Sequence, residues 1–247
     1  MNGILVVDKP AGITSYDVIR RLKKIIGAEK IGHAGTLDPI ATGVLVILLG
    51  KFTKMATQLL ADEKEYIFEA TFGVTTDSQD STGKVISERP VDLDEAKLKA
   101  AIGRFIGEIE QIPPMVSAVK YKGERLYKLA RKGIEVERKP KKIKIKVFEI
   151  IDFRGDKATF RVVSSKGTYI RTLCYDLGET LGCGAHMSNL RRVRSGNFHL
   201  DDAKTLDEIS KLSQEGRFKE ALTQLSVQGV GHPERSEGSG QGAGWSS

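Results

Sequence analysis

Cysteine is scarce in this chain: 247 residues hold two, Cys174 and Cys183. Neither has a second cysteine two to four residues away, so there is no disulfide framework and no zinc-type spacing. His33, His186, His199 and His232 are scattered along the chain, and no metal or cofactor site is expected from them. No apolar run approaches the length that spans a bilayer. The opening MNGILVVDKPAG lacks the charged start and long apolar stretch of a signal peptide. We therefore expect no membrane association and a reducing, cytoplasmic setting. A Gly-x-Ser-x-Gly nucleophile elbow is missing too. GVLVILLGK (43–51) looks like a phosphate-binding loop, but six residues rather than four separate its glycines and Phe52 follows the lysine. With these chemistries set aside, the reaction must come from the side chains.

The remaining composition is ordinary and globular, with 40% hydrophobic and 29% charged residues, enough for one large domain or two smaller ones. The net charge is +7, and residues 120–146 alone carry twelve Lys or Arg against three Glu. Concentrated positive charge is the footprint of a polyanion partner; a solvated face on a basic protein is an equal competitor. Residues 229–247 hold six Gly and four Ser and include the single tryptophan, Trp245. Such a segment buries too little surface to offset its chain entropy, so a disordered tail is expected.

GILVV (3–7) reads as a buried strand. Ser15 then reads as the N-cap of a helix with Val18, Leu22, Ile25 and Ile26 inward and Gly27 as its stop. Residues 32–43 read as a loop, Val44–Leu49 as a buried strand, and Thr53–Leu60 as a short helix. Tyr66, Phe68, Ala70 and Phe72 alternate on one face of a strand over 65–74. TTDSQDSTG reads as a polar loop. Asp92 and Glu95 suggest a capping box for a helix closed by Gly107. Ile143, Ile145 and Val147 alternate with lysines as a strand with a cationic face. A strand over 160–169 leads to a helix bearing Ile170, Leu173, Leu177 and Leu181, and Thr205 with Glu208 caps a last helix. The mixture lacks a regular βαβ alternation, which favours an α+β fold.

GHAGTLDPIATGVL (32–45) concentrates the candidate chemistry. Pro39 fixes its own φ and steers Asp38 away from helix, which holds the carboxylate on stiff backbone. Gly32 and Gly35 permit close approach of a ligand. Taken alone, an Asp-Pro turn starter is the plainer reading. Arg171 sits in the first turn of its helix and could hold a carboxylate bidentately or contact a phosphate. KYKGERLYKLARKG (120–133) mixes Lys120, Lys122 and Arg125 with Tyr121 and Tyr127. That suits base stacking with phosphate neutralisation, but equally an amphipathic helix burying Leu126, Leu129 and Ala130.

The 32–45 stretch closely resembles the catalytic-aspartate motif of TruB-type tRNA pseudouridine synthases, which act on uridine 55 of the T-loop. KPAGITS (9–15), KEY (64–66), QIPPMVSAVKYKGERLYKLAR (111–131), SKGTYIRTLCYDLG (165–178) and LGCGAH with LRR (181–192) resemble the same family in the same order. The resemblance covers roughly residues 3–212. It implies a pseudouridine synthase fold, a central mixed, largely antiparallel sheet flanked by helices, with residues 1–228 as the catalytic domain and a basic thumb at about 120–146. It also implies roles. Asp38 is the nucleophile and Arg171 its partner. Tyr66 lies against the target base as the candidate to take its C5 proton. Tyr169 and Leu190 line the pocket, and His33 contacts the everted RNA. Lys9 and Pro10 support the loop. Lys120, Lys122, Arg125 and Tyr127 belong to the RNA-gripping stretch. The implied partner is the T-stem-loop of tRNA, bound by a monomer. Many bacterial members continue into a PUA domain, where this chain turns Gly/Ser-rich.

Pseudouridine formation moves a uracil from N1 to C5 attachment with every atom retained, so it calls for no redox cofactor, metal or energy donor. A stacked uridine must first be everted, at a cost of about a few kcal/mol, which phosphate contacts can offset. Two other readings stand beside this one: a guide-RNA-dependent synthase of the Cbf5 type, and a non-catalytic chaperone of tRNA folding.

Overall fold

A computed structural model describes residues 1–60 and 63–223; the Gly/Ser-rich tail and Trp245 lie outside the described residues. The chain forms β1 (Gly3–Lys9), α1 (Ser15–Ile26), β2 (Ile31–Ala34), β3 (Thr42–Leu49) and, after a 3-10 turn, α2 (Ala56–Leu60). β4 (Lys64–Phe72), the hairpin β5 (Val74–Thr76) and β6 (Val85–Glu88), and α3 (Glu95–Gly103) follow. Next come β7 (Gly107–Gln111), a small lobe of β8 (Lys120–Tyr121), β9 (Glu124–Arg125) and α4 (Leu126–Arg131), then β10 (Lys141–Arg154) and β11 (Lys157–Ser164). α5 (Ile170–Thr180), β12 (Ala185–Ser195), β13 (Phe198–His199) and α6 (Leu206–Gln214) complete the fold.

Nine strands make one sheet in the order β1-β3-β12-β4-β11-β10-β7, with β2 added to β3 and β13 to β12. Every pairing is antiparallel except β3 with β12. This is the expected α+β architecture with a mixed, largely antiparallel sheet. β3 reads TGVLVILL because both of its faces are covered, and a doubly covered strand needs an unbroken apolar run. Leu45, Ile47 and Leu49 join Leu5, Val7 and Phe68 in the main core, beneath α1 and α5. Val44, Val46 and Leu48 join Ile4, Val6, Ala34 and Phe198 on the opposite face. β4 alternates as expected, and Phe68 stacks on Phe160 at 5.1 Å between centroids.

Several local expectations need correction. α1 is capped by Thr14, not Ser15: Thr14 and Asp17 form a reciprocal capping box. Ser15 is turned inward, its Oγ accepting from Leu37 N at 2.9 Å and donating to Leu37 O at 3.1 Å. Asp94 rather than Asp92 caps α3, accepting from Lys97 N at 2.7 Å, and Asp92 instead pairs with the Lys97 ammonium. α3 ends at Gly103, and Gly107 opens β7 at φ 105°. The expected loop over 32–43 begins as a strand, since residues 31–34 pair with β3 and place His33 on β2. The polar run after β4 is partly a hairpin, closed by β5 and β6. The basic stretch also divides: residues 120–131 form the small lobe, whereas Lys141–Lys146 belong to β10 of the central sheet.

Candidate active site

Asp38 sits in the loop between β2 and β3, and that loop is fastened from behind at several points. Gly35 takes φ 91°, with the Arg192 guanidinium 3.3 Å from where a Cβ would stand. Arg192 is buried; its Nε donates to Val44 O at 2.7 Å and its Nη2 to Gly35 O at 2.9 Å, so one side chain spans both ends of the loop. Leu37 is held through its backbone by Ser15. Pro39 O accepts from Gly12 N at 2.8 Å. The buried Lys9 ammonium donates to Pro10 O, Ile13 O and Pro39 O at 2.8, 2.7 and 3.3 Å, using all three of its protons. Burial pushes the Lys9 pKa down to about 8, although the Asp38 charge opposes this.

Arg171, in the first turn of α5, reaches Asp38 across 133 positions of sequence: Nε donates to Asp38 Oδ2 at 2.9 Å. Its Nη1 donates to Ser78 O at 3.0 Å and its Nη2 to Val116 O at 2.8 Å. Asp80 Oδ2 lies 3.7 Å from Nε. The Arg171 side chain is 4% exposed and that of Asp38 is 37% exposed. One edge of the carboxylate is therefore held by a buried guanidinium, each of whose three nitrogens makes a hydrogen bond, while the rest faces open space. A charge-assisted bond of this kind fixes the orientation of the carboxylate.

The open space is a cleft of about 1540 Å³, larger than a typical small-ligand pocket of roughly 300–1,000 Å³. Tyr16, His33 and Asp38 line it from the sheet side, and Lys120, Lys122, Arg125, Tyr127, Lys128 and Arg131 line it from the lobe. Lys122 and Gly123 both take positive φ, at 47° and 90°, which makes the tight hairpin turn that presents these cations. Leu126 and Leu129 are buried, so the lobe is amphipathic as well as cationic. Tyr127 carries Arg131 over its ring at 5.6 Å, and Tyr121 carries Lys122 at 5.5 Å.

Among the expected site residues, Asp38, His33, Lys120, Lys122, Arg125 and Tyr127 share the cleft, with Arg171 and Lys9 behind the loop. Tyr169 precedes Arg171; burial pushes its phenol upward, and the charges of Arg171 and Asp38 both reach it. Tyr66 and Leu190 are buried in the main core with Leu37, on the neighbouring strands β4 and β12. His33 is half-buried on β2 with its Nδ1 unpartnered; burial first, then the Arg192 charge, pushes its pKa down. A neutral imidazole at the cleft wall is suited to stacking rather than to phosphate pairing.

Sequence reading misses Asp80 and Arg192. Asp80 is 6% exposed, and its Oδ1 accepts from Ser78 Oγ at 2.7 Å and Thr82 N at 3.0 Å. It lies in the polar run that reads as a plain loop. The signal is two closely spaced aspartates among hydroxyls, a pattern that turns also produce. Arg192 lies within LRR, where nothing local reveals that it is buried.

Known proteins share this sequence and this fold. The TruB family pseudouridylate synthase (N terminal domain) profile matches residues 23–170, and the tRNA pseudouridylate synthase B C-terminal domain profile matches residues 171–226. The chain is 45% identical over 240 residues to tRNA pseudouridine synthase B of Dechloromonas aromatica (strain RCB), covering 95% of this chain and 80% of that protein. It is 50% identical over 210 residues to tRNA pseudouridine synthase B of Protochlamydia amoebophila (strain UWE25), covering 85% of this chain and 80% of that one. Among solved structures, a chain of a Cbf5-Nop10-Gar1 complex superposes with a TM-score of 0.72 at 34% identity, covering 90% of this chain but 59% of that one.

Proposed function

The chain belongs to the TruB family of pseudouridine synthases, and we infer that it converts uridine to pseudouridine in tRNA, at position 55 of the T-loop, with Asp38 as nucleophile. The observation that carries the assignment of Asp38 is its geometry: a carboxylate fixed by a buried guanidinium at 2.9 Å and open to a cation-walled cleft.

The work divides by chemistry. The cations of the lobe neutralise phosphates and draw the T-arm into the cleft. Eversion of the uridine leaves a gap in the stack, which the half-buried His33 ring can fill. The ionised Asp38 then attacks a carbon of the nucleotide, or assists loss of the base, and the N1–C1′ bond breaks. The uracil turns, C5 bonds to C1′, the bond between Asp38 and the nucleotide breaks to return the free carboxylate, C5 gives up its proton, and N1 gains one, so atoms and charge balance. Attack by a held carboxylate divides a hard substitution into easier steps. Arg171 orients Asp38 and stabilises its charge.

Unmodified tRNA transcript incubated with purified protein tests this directly. We expect pseudouridine at position 55 from the wild type without any added guide RNA or protein. In Asp38→Asn we expect none, with transcript binding retained. Activity that depends on an added guide would instead point to the Cbf5-like reading. Pseudouridine from Asp38→Asn would remove Asp38 as nucleophile.

A further inference from the structure

Gln111 ends β7, at the edge of the sheet, and is 2% exposed. Its side chain crosses to Tyr169, 58 positions away in sequence: Nε2 donates to Tyr169 O at 3.1 Å and Oε1 accepts from Tyr169 N at 2.8 Å. One carboxamide thus satisfies both polar groups of one residue's backbone, as a neighbouring strand would. Only a planar group with donor and acceptor side by side can do this. Tyr169 is the N-cap of α5 and makes no side-chain cap bond; its carbonyl already accepts from Leu173 N at 3.0 Å inside the helix, and Gln111 adds a second bond there and the only one to Tyr169 N among the described residues. Arg171 follows two residues later.

The same stretch is fastened a second time. From Gln111 the chain runs through IPPM to Val116, whose carbonyl accepts from Arg171 Nη2 at 2.8 Å. The segment 111–116 is therefore bonded to the Tyr169–Arg171 corner at both ends, and it leads directly into the cationic lobe at Lys120.

We propose that Gln111 is a positioning residue for catalysis. Its amide sets the first turn of α5, and so keeps Arg171 Nε on Asp38 while the neighbouring lobe is loaded with RNA. The proposal rests on Asp38 as the nucleophile. Failure of that reading appears as activity in Asp38→Asn, whereas failure of the present one appears in variants of Gln111.

Gln111→Leu keeps bulk and removes both bonds. Gln111→Glu keeps the shape; its buried carboxyl faces a carbonyl oxygen, which favours the protonated form, and that form offers the same donor and acceptor as the amide. The measurements are single-turnover pseudouridine formation on tRNA transcript from about pH 5.5 to about pH 8.5, where burial raises a carboxyl into range, and transcript affinity. For Gln111→Leu we expect a rate lower by on the order of 10–100-fold, the usual size of a small misplacement, at unchanged affinity. For Gln111→Glu we expect the ratio to wild type to approach one in acid and to fall toward the Leu level as pH rises. A wild-type rate in Gln111→Leu, equal losses of rate and affinity, or a Gln111→Glu ratio independent of pH each overturns the proposal. Should Gln111→Leu fail to fold, the pH course of Gln111→Glu decides alone.

Discussion

Between Gly35 and Ala41 the backbone is held by Arg192, Ser15, Gly12 and Lys9, and its one reactive side chain is held by Arg171. Across the cleft, the lobe over residues 120–131 consists of a pair of two-residue strands and a six-residue helix, followed by irregular chain up to β10. The Lys132–Glu124 ion pair is exposed at both partners, a class worth about 0–1 kcal/mol, and the Arg138–Glu135 pair is exposed at Glu135. Lys120, Lys122, Arg125 and Lys128 make no ion pair among the described residues. One wall is over-determined and carries a single chemical group. The other is lightly tied and carries many interchangeable charges. Bond making demands placement to a fraction of an ångström, whereas attraction of a phosphate chain tolerates movement.

The contrast can be broken residue by residue. Asp38→Asn has the largest expected effect: turnover falls by at least about 10³-fold, the scale for loss of a covalent catalyst, while tRNA affinity by filter retention is kept. Arg171→Met comes next. It leaves Asp38 and the buried Asp80 without their cation, so we expect a rate loss on the order of 10²-fold or more and a stability loss of about 3–5 kcal/mol, read by single-turnover kinetics and urea denaturation.

Lys9 gives the pH test. Its folded pKa of about 8 is below the ordinary lysine value of 10.5. Between those values the unfolded chain holds a proton that the folded chain has released. This group therefore makes stability rise with pH across that window, where the unfolded state binds more protons. In Lys9→Met we expect that rise to vanish from thermal melts. Turnover should also be lower than wild type below pH 8, where the intact ammonium bonds Pro39, with the two rates converging above it.

Charge removal in the lobe sharpens the other side. Lys122→Ala with Arg125→Ala and Lys128→Ala should weaken tRNA binding and flatten the plot of log affinity against log salt by roughly 0.7–0.9 for each phosphate no longer neutralised. The rate from saturated complex should stay near wild type; an equal fall in rate would erase the distinction between the two walls. The smallest effect is at Thr14→Ala, which removes the α1 cap. We expect a cost of about 1 kcal/mol of stability and no change in turnover.

Much of the held wall is legible in sequence. Pro39, the glycines and the apolar run show that Asp38 sits on stiff backbone, because stiffness is written locally, but by themselves they read as an Asp-Pro turn; the family resemblance singles the residue out. The start of α1 reads one residue late because Thr14 and Ser15 are both capping types; only tertiary structure decides that Ser15 turns inward to Leu37. The same ambiguity lets Asp92 pass for the α3 cap in place of Asp94. Asp80, Gln111 and Arg192 act across 91, 58 and 148 positions, and no local periodicity reports such partners. The division of the basic stretch is equally hidden, since lysines alternating with isoleucine look alike on a lobe strand and on β10.

The junction of β3 with β12 has a consequence for how the protein is made. Thr42 and Gly43 meet Arg191 and Arg192 in the sheet's parallel pairing, and a Cβ on Gly43 would stand 2.2 Å from Arg192 O. A ribosome delivers the aspartate early and the strand that anchors its loop some 150 residues later. A nascent chain stopped short of Arg192 carries Asp38 but lacks the guanidinium that ties Gly35 to Val44, so the loop acquires this anchor only when the fold is nearly complete.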